Sequence, residues 1–412
     1  MSRSRGGGVS RAAAVRASLV GAGIGAVVAF LVSGCQSATP ASTCSLAQVA
    51  SYAGSPLMSL ADVRLDRVGD GFFLLGVDKD LVRWVHLDSQ RNAGKEQSAP
   101  VPATRKLGPW FAAVGRNTPG DTILIAYGTT ATNGMDLDIT VVAAAADGSV
   151  APGAGTVVTT IIGGAKAGAA TPQVALATSQ SGTSAGLAWT AAGDGWLTAL
   201  VLGGDGQAVG AAFSIDQIAR VSCVGFVPGK DDLSLAYYQY QSDSDTQPKW
   251  VIVEIDESGM FSTLALDFTD QSPSCPFLLS TSGGYALAWQ SAAGSTLGTY
   301  DSGKNHFDDH LFAGAVEFGG PTLQPPLAGL GQAGSDFAVV VARVGAGQVW
   351  RVSAGGARVS GALIFPSESG NLGAISSVPV MGTLFSTYAD YPAGVSTTDP
   401  RGQRYLVETT CL

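Results

Sequence analysis

An all-β fold built from one repeated four-stranded unit is predicted for this 412-residue chain by three observations. Only 13% of its residues are charged and glycine alone occurs 55 times, in a background of Ala, Ser, Thr and Val that suits strands joined by tight turns better than amphipathic helices. A short apolar strand pattern recurs along the chain: FFLLGV (72–77), ILIAYG (123–128), AGLAWT (185–190), LSLAYY (233–238), YALAWQ (285–290), AVVVAR (338–343) and LFSTYA (384–389). Asp- and Gly-bearing turns follow these segments at similar distances: AADGSV, GGDGQA, DESGMF, DSGKNH, AGGARV and DPRGQR. Such turns suit hairpins, because Gly adopts positive φ freely and Asp tolerates it.

The period supports one repeated unit. With Gly76, Ala126, Ala188, Ala236, Ala288, Val340 and Thr387 as register marks, the steps are 50, 62, 48, 52, 52 and 47 residues. The long step accommodates the loop GGAKAGAATPQ. Upstream of the marked strand, an apolar segment is separated from it by a turn, as in VALATSQSGTSAG, CVGFVPGKDD, CPFLLSTSGG and LAGLGQAGSD. Downstream come a third strand, a hairpin turn and a fourth strand. Four antiparallel strands every fifty residues or so, seven times over, predict a seven-bladed β-propeller. The marked strands are almost wholly apolar, as expected for strands packed on both faces between neighbouring blades, and a small residue at the mark lets blades approach closely. The alternatives are a pair of β-sandwiches or a ring of six or eight blades.

The N-terminus has a different logic. Arg3, Arg5, Arg11 and Arg16 precede the uncharged apolar run ASLVGAGIGAVVAFLVS, the layout of a secretory signal. A retained transmembrane helix is the competitor, weakened by Gly21, Gly23 and Gly25. Val32-Ser33-Gly34-Cys35 resembles the bacterial lipobox. The resemblance implies cleavage after Gly34 and a diacylglyceryl thioether on Cys35, with further acylation making the anchor stable. The polar stretch QSATPAST then serves as a tether. The expected organisation is a signal peptide (1–34), a lipidated cysteine with its tether (35–43) and a propeller domain (44–412). By resemblance to lipoprotein sorting, Gln36 in place of Asp points to the outer membrane.

Removing residues 1–34 takes away four of the 23 basic residues and none of the 32 acidic ones, which leaves a net charge of −13. This acidic balance argues against nucleic acid as a partner and against a basic patch lying on anionic lipid, since either would need clustered Lys and Arg. The body is expected to act as a monomer held at the membrane by its lipid.

Four cysteines remain besides Cys35, an even number that suggests two disulfides in an exported chain. Cys223 lies 13 residues before Ala236 and Cys275 lies 13 before Ala288, which makes the two equivalent on the inner strands of successive blades and pairs them. Cys44 and Cys411 stand near the ends of the mature body, where a ring must bring its termini together. A bond there closes a loop large enough for about 5 kcal/mol of stabilisation by chain entropy. The competing reading is free buried thiols.

Several patterns invite a catalytic reading. GTSAG (182–186) satisfies G-x-S-x-G with Ser184, but a nucleophile elbow needs a helix after the serine, and here a strand follows. NHFDDH (305–310) offers His306 and His310 with Asp308 and Asp309 between them; on a strand, positions four apart are too far separated for an easy chelate. Three acidic loops follow marked strands and would share the ligand face by resemblance to other propellers: Asp78 and Asp80, Asp136 and Asp138, Asp243 and Asp245. They could hold calcium or be solvated turns that keep the protein soluble, the preferred reading, so no cofactor is expected. The Asp-box of sialidase-like propellers and the WD-repeat signature are both absent from the sequence.

Two functional classes follow. The favoured one is a lipid-anchored scaffold whose loop face binds a protein, peptide or glycan, with Trp110, Tyr238, Tyr240 and Tyr391 as exposed aromatics near that face. The alternative is an envelope hydrolase or lyase acting on glycan or peptide, with two carboxylates from different loops meeting over the central channel.

Overall fold

A computed structural model describes residues 44–411, except 61–62, 69, 79–80, 101–106, 118–121, 146, 151–154, 167–171, 179–184, 191–195, 218–219, 227–232, 241–248, 256–260, 268–275, 292, 315–326, 344–345, 360–361, 368–370, 381 and 396–400. Side chains at 100, 107–117, 122, 196, 216–217, 220–226, 233–240, 249–250, 261–263, 265, 267 and 343 are likewise outside the description. Among the described residues no helix is long and apolar enough to cross a membrane.

The strands fall in sequence into four-stranded antiparallel sheets. Before them stands β1 (Cys44–Tyr52), followed by the single-turn helix α1 (Pro56–Ser59). Sheet I comprises β2 (Val63–Val68), β3 (Gly71–Asp78), β4 (Leu81–Leu87) and β5 (Gln97–Pro100). Sheet II comprises β6 (Leu107–Asn117), β7 (Thr122–Thr130), β8 (Leu137–Ala144) and β9 (Thr156–Ile161). In sheet III the strands are β10 (Val174–Thr178), β11 (Ala185–Thr190), β12 (Trp196–Leu202) and β13 (Phe213–Gln217). Sheet IV holds β14 (Arg220–Phe226), β15 (Leu233–Tyr240), β16 (Lys249–Ile255) and β17 (Phe261–Asp267). Sheet V holds β18 (Phe277–Thr281), β19 (Gly284–Ser291), β20 (Gly294–Asp301) and β21 (His306–Gly314). Sheet VI follows with β22 (Leu327–Ala333), β23 (Asp336–Arg343), β24 (Ala346–Val352) and β25 (Leu363–Ile364). The last sheet has only three strands of its own, β26 (Ser376–Val380), β27 (Thr383–Asp390) and β28 (Gln403–Cys411), and takes β1 as its fourth, in the order β26-β27-β28-β1.

All the register marks lie on the second strand of a sheet, opposite an inner-strand partner: Gly76 faces Val63, Ala126 faces Ala113, Ala188 faces Ala175, Ala236 faces Gly225, Ala288 faces Phe277, Val340 faces Gly329 and Thr387 faces Ser376. Alternate side chains of these strands enter two different cores, as the two-residue period requires. In β3, Phe73 and Leu75 pack with Ile125 and Val142 of sheet II, whereas Phe72 and Leu74 pack with Phe385 and Leu406 of the last sheet. The same alternation carries the packing onward. Leu124 meets Leu187, Leu197 meets Val253, Ile252 meets Leu287, Ala288 meets Val339, and Val340 meets Leu384. Each sheet therefore shares one apolar core with the sheet before it and another with the sheet after it, and the last sheet shares one with the first.

Hairpin connectivity gives the sheets two ends. Connections from first to second strand and from third to fourth lie at one, the turn end; connections from second to third strand and from sheet to sheet lie at the other, the loop end. At the turn end the third-to-fourth hairpins reach back onto the preceding sheet. Gly148 brings its carbonyl to within 2.9 Å of the buried Trp84 Nε1, which donates to it, and the side chain of Gln207 donates to Thr156 Oγ1 at 2.7 Å. Positive φ at Gly148 (82°) and at the equivalent Gly206 (77°) closes these turns. In sheet I the same place is held by Arg91 at φ 68°, whose guanidinium lies 4.7 Å from the Phe72 ring centroid and 5.0 Å from that of Phe385.

Closure departs from the sequence expectation in one respect. DPRGQR was read as a turn between third and fourth strands, but it joins the second and third strands of the last sheet, β27 and β28. The outer strand of the last sheet is β1, paired antiparallel with β28. Cys44 stands opposite Cys411 in the β1–β28 ladder, and the two form a disulfide with a sequence separation of 367. A second fastening lies at the other end of β28. The fully buried Arg404 donates to the Leu60 carbonyl and, at 3.4 Å, to Thr387 Oγ1, while the Tyr391 hydroxyl donates to the Ser59 carbonyl at 2.8 Å.

Candidate functional site: the loop end

Asp78 closes β3 and is held 3.0 Å from Arg83 Nε. Arg83 also reaches Glu96 at 2.8 Å, and the other Glu96 oxygen accepts from the Leu57 backbone at 3.3 Å. The chain Asp78–Arg83–Glu96 thus secures the single turn of α1 against sheet I. Asp136 accepts from the Gly163 backbone at 2.7 Å and from Asn133 Nδ2 at 2.6 Å. Those two hydrogen bonds, the backbone one foremost, hold its carboxyl below the usual carboxylate range. Asp138 lies within β8 rather than in a loop, is 6% exposed, and accepts from Thr160 Oγ1 at 2.7 Å. The acidic residues described here therefore stitch strands and loops together. Asp80, Asp243 and Asp245 fall outside the described residues.

The Asp136 bridge draws the β7–β8 loop and the turn after β9 side by side, and a second backbone bond, Ala165 N to Met135 O at 2.9 Å, closes the junction. Two apolar side chains stand out at it: Met135 is 54% exposed and Ile162 is 73% exposed. Sequence reading missed them. The signal was present, since each is an apolar residue against a glycine-bearing turn, in NGMD and IIGG, but neither breaks a pattern strongly enough to be singled out.

The aromatic expectation is corrected at Tyr391, which is 1% exposed and serves the closure described above. Its burial follows from Gly402, where even a Cβ would meet the Tyr391 ring at 2.5 Å. Trp110, Tyr238 and Tyr240 lie in β6 and β15, with side chains outside the described residues. His306 and His310 lie on β21, an outer strand, and His310 Nε2 sits 3.2 Å from Asp308. Among the described residues no group of three His, Cys, Asp or Glu side chains converges as a metal site. A strand, β11, begins directly after Ser184 at Ala185, while Ser184 itself lies outside the described residues. Cys223 falls in β14 with its side chain undescribed, and Cys275 is outside the description altogether, as is Cys35.

No protein-family model matches the chain, and no curated protein matches it. Solved structures do. The polysaccharide lyase Uly1 is similar with a TM-score of 0.52 at 11% identity, over 84% of this chain and 89% of that one. Prolyl oligopeptidase B from Galerina marginata is similar with a TM-score of 0.50 at 12% identity, over 84% of this chain and 52% of the enzyme. A prolyl endopeptidase gives 0.48 at 12% identity. The chain spans about half the length of the prolyl peptidases it matches. Likeness at such identities is one of fold, and with the cyclic packing of four-stranded sheets it makes this chain a β-propeller.

Proposed function

We propose that this protein is a lipid-anchored, seven-bladed β-propeller of the bacterial cell envelope, and that it works as a binding scaffold for a protein, peptide or glycan presented to its loop end. The single observation that carries the binding reading is the junction in sheet II, where Met135 and Ile162 are offered to solvent by loops held together by the Asp136–Gly163 bond. Exposed apolar side chains on a pre-organised backbone lose little entropy when a partner covers them. In the same sheet Asp136 is engaged with Gly163 and Asn133 and Asp138 with Thr160, and in sheet I Asp78 is engaged with Arg83, a use that serves rigidity. Among the described residues, seven sheets follow one another in a closed sequence of shared cores, which supports the blade count. The lipid reading rests on Val32–Cys35, and a Cys35→Ser variant should stay unprocessed and incorporate no labelled palmitate.

The test is capture from envelope extracts with residues 44–412, beside the Met135→Asp/Ile162→Asp double variant. A specific ligand retained by the parent and lost tenfold or more by the variant is expected. Cleavage of a glycan or peptide library by the same preparation, abolished by one Asp→Asn change at the loop end, would replace the scaffold with an envelope hydrolase or lyase.

A further inference from the structure

We propose that Asn133 is a site of spontaneous covalent modification, in which its side-chain amide is displaced by the Gly134 backbone nitrogen, and that the acid so formed opens the loop-end junction of sheet II. The chemical step stands on the loop itself, and only its consequence for a partner rests on the scaffold reading above. Asn133-Gly134 is the one Asn-Gly pair in the chain. Both residues are exposed in the β7–β8 loop, which is closed by Ala131 N donating to Asp136 O at 2.8 Å. Gly134 carries no side chain to hinder attack by its nitrogen, and its φ of 70° suits glycine. Asn133 Oδ1 accepts from the Met135 and Asp136 backbone amides at 2.9 and 3.0 Å. Two N–H donors on one carbonyl oxygen draw charge from Cγ and stabilise an oxyanion formed there.

The reaction balances with water as its only co-reactant. The Gly134 N–H first leaves its bond to Ala131 O, 2.9 Å long, an opening confined to one exposed loop. Gly134 N then gives its proton to hydroxide and bonds to Asn133 Cγ. The Cγ–Nδ2 bond breaks, and Nδ2 takes a proton from water and departs as ammonia. Water adds to one carbonyl of the cyclic imide: at Cγ it yields aspartate, and at the backbone carbonyl it yields isoaspartate, whose main chain runs through the former side chain. In the intact loop Asn133 Nδ2 donates to Asp136 Oδ2 at 2.6 Å, while Asp136 Oδ1 accepts from Gly163 N at 2.7 Å. Conversion puts an acceptor-only carboxylate where that donor stood, and two like charges so close repel. Asp136 is thereby driven off Gly163, and Met135 and Ile162 lose the bond that keeps their loops side by side.

Asn92 serves as the internal control: it is exposed too, and its Nδ2 donates to Asp88 Oδ2 at 3.1 Å, but Ala93 follows it. The purified full-length protein is held in mildly alkaline buffer and its peptides are mapped by mass spectrometry over time. Amide-to-acid conversion at Asn133 at least fivefold faster than at Asn92 is expected, with isoaspartate among the products; conversion no faster than at Asn92 would overturn the assignment. Amide hydrogen exchange tests the second half on Asn133→Asp, which reproduces one product. The Gly163 and Ala165 amides, bonded to Asp136 Oδ1 and Met135 O in the parent, should exchange at least tenfold faster, with the β8 amides unchanged. Parental exchange at Gly163 in the variant would overturn the opening. Neither measurement needs a partner, so failure of the parent to capture a ligand would count against the scaffold reading alone.

Discussion

At the residue scale, the structure repeatedly sets one side chain to do the work of a missing glycine or a missing strand. Arg91 occupies a left-handed turn position that Gly148 and Gly206 fill in the next two sheets, and in exchange its guanidinium covers Phe72 and Phe385. Stacking of this kind is worth about 1 kcal/mol, and the left-handed conformation costs a non-glycine residue about as much. Arg91→Ala, which keeps the strain and loses the stacking, should therefore be less stable than Arg91→Gly by about 1 kcal/mol in chemical denaturation; an alanine variant equal to the glycine one would contradict this. Tyr52 donates to the Arg91 carbonyl at 2.7 Å, and burial pushes its hydroxyl up to about 12, against an opposing pull from Arg91. A folded value above the unfolded value of 10.0 means that the neutral phenol stabilises the fold below pH 10 and that this contribution drains away between pH 10 and 12. Tyr52→Phe should flatten that part of the alkaline limb of the stability curve. An unchanged limb would assign the alkaline loss to other tyrosines, of which Tyr388 and Tyr391 are also raised by burial.

At the scale of elements, the second strands, their turns and the Cys44–Cys411 latch were legible, and the lending of β1 to the last sheet was not. FFLLGV, AVVVAR and their counterparts announce themselves because a strand buried on both faces must be apolar throughout, and AADGSV or GGDGQA because a tight hairpin needs positive φ. The outer strand of the last sheet lacked such a signal. CSLAQVASY, the β1 segment, is half exposed and only weakly patterned, and it lies some 350 residues from its partner, beyond the reach of any local rule. Its absence from the C-terminus led DPRGQR to be assigned one hairpin too late. Tyr391 was misread for a related reason, since besides the nearby Gly402 it packs at the distant Ser55–Leu60 segment, where its hydroxyl donates to the Ser59 carbonyl, a contact invisible from its own neighbourhood. Of the candidate site, the acidic loops were legible as residues but not as a role: their hydrogen bonds to Arg83, Gly163 and Thr160 depend on tertiary placement. Because β1 caps the edge of β28, deleting residues 44–52 should leave an unpaired edge open to other chains. Size-exclusion chromatography of that truncation is expected to show oligomers and aggregates, and a stable monomer would speak against the role given to β1.

Across the whole molecule, the account depends on a closed sequence of cores in which the last sheet meets the first through Phe385, Leu406, Phe72 and Leu65. A ring of this kind has no free end from which to fray, provided that its final sheet is completed by the other terminus. The disulfide between Cys44 and Cys411 fixes that completion covalently, with a stabilisation of about 5 kcal/mol expected from the chain entropy it removes. The measurement that tests the claim most directly is peptide mapping of the unreduced protein by mass spectrometry. The account predicts a linked peptide pair containing Cys44 and Cys411, and a link from Cys44 to Cys223 or Cys275 would contradict it.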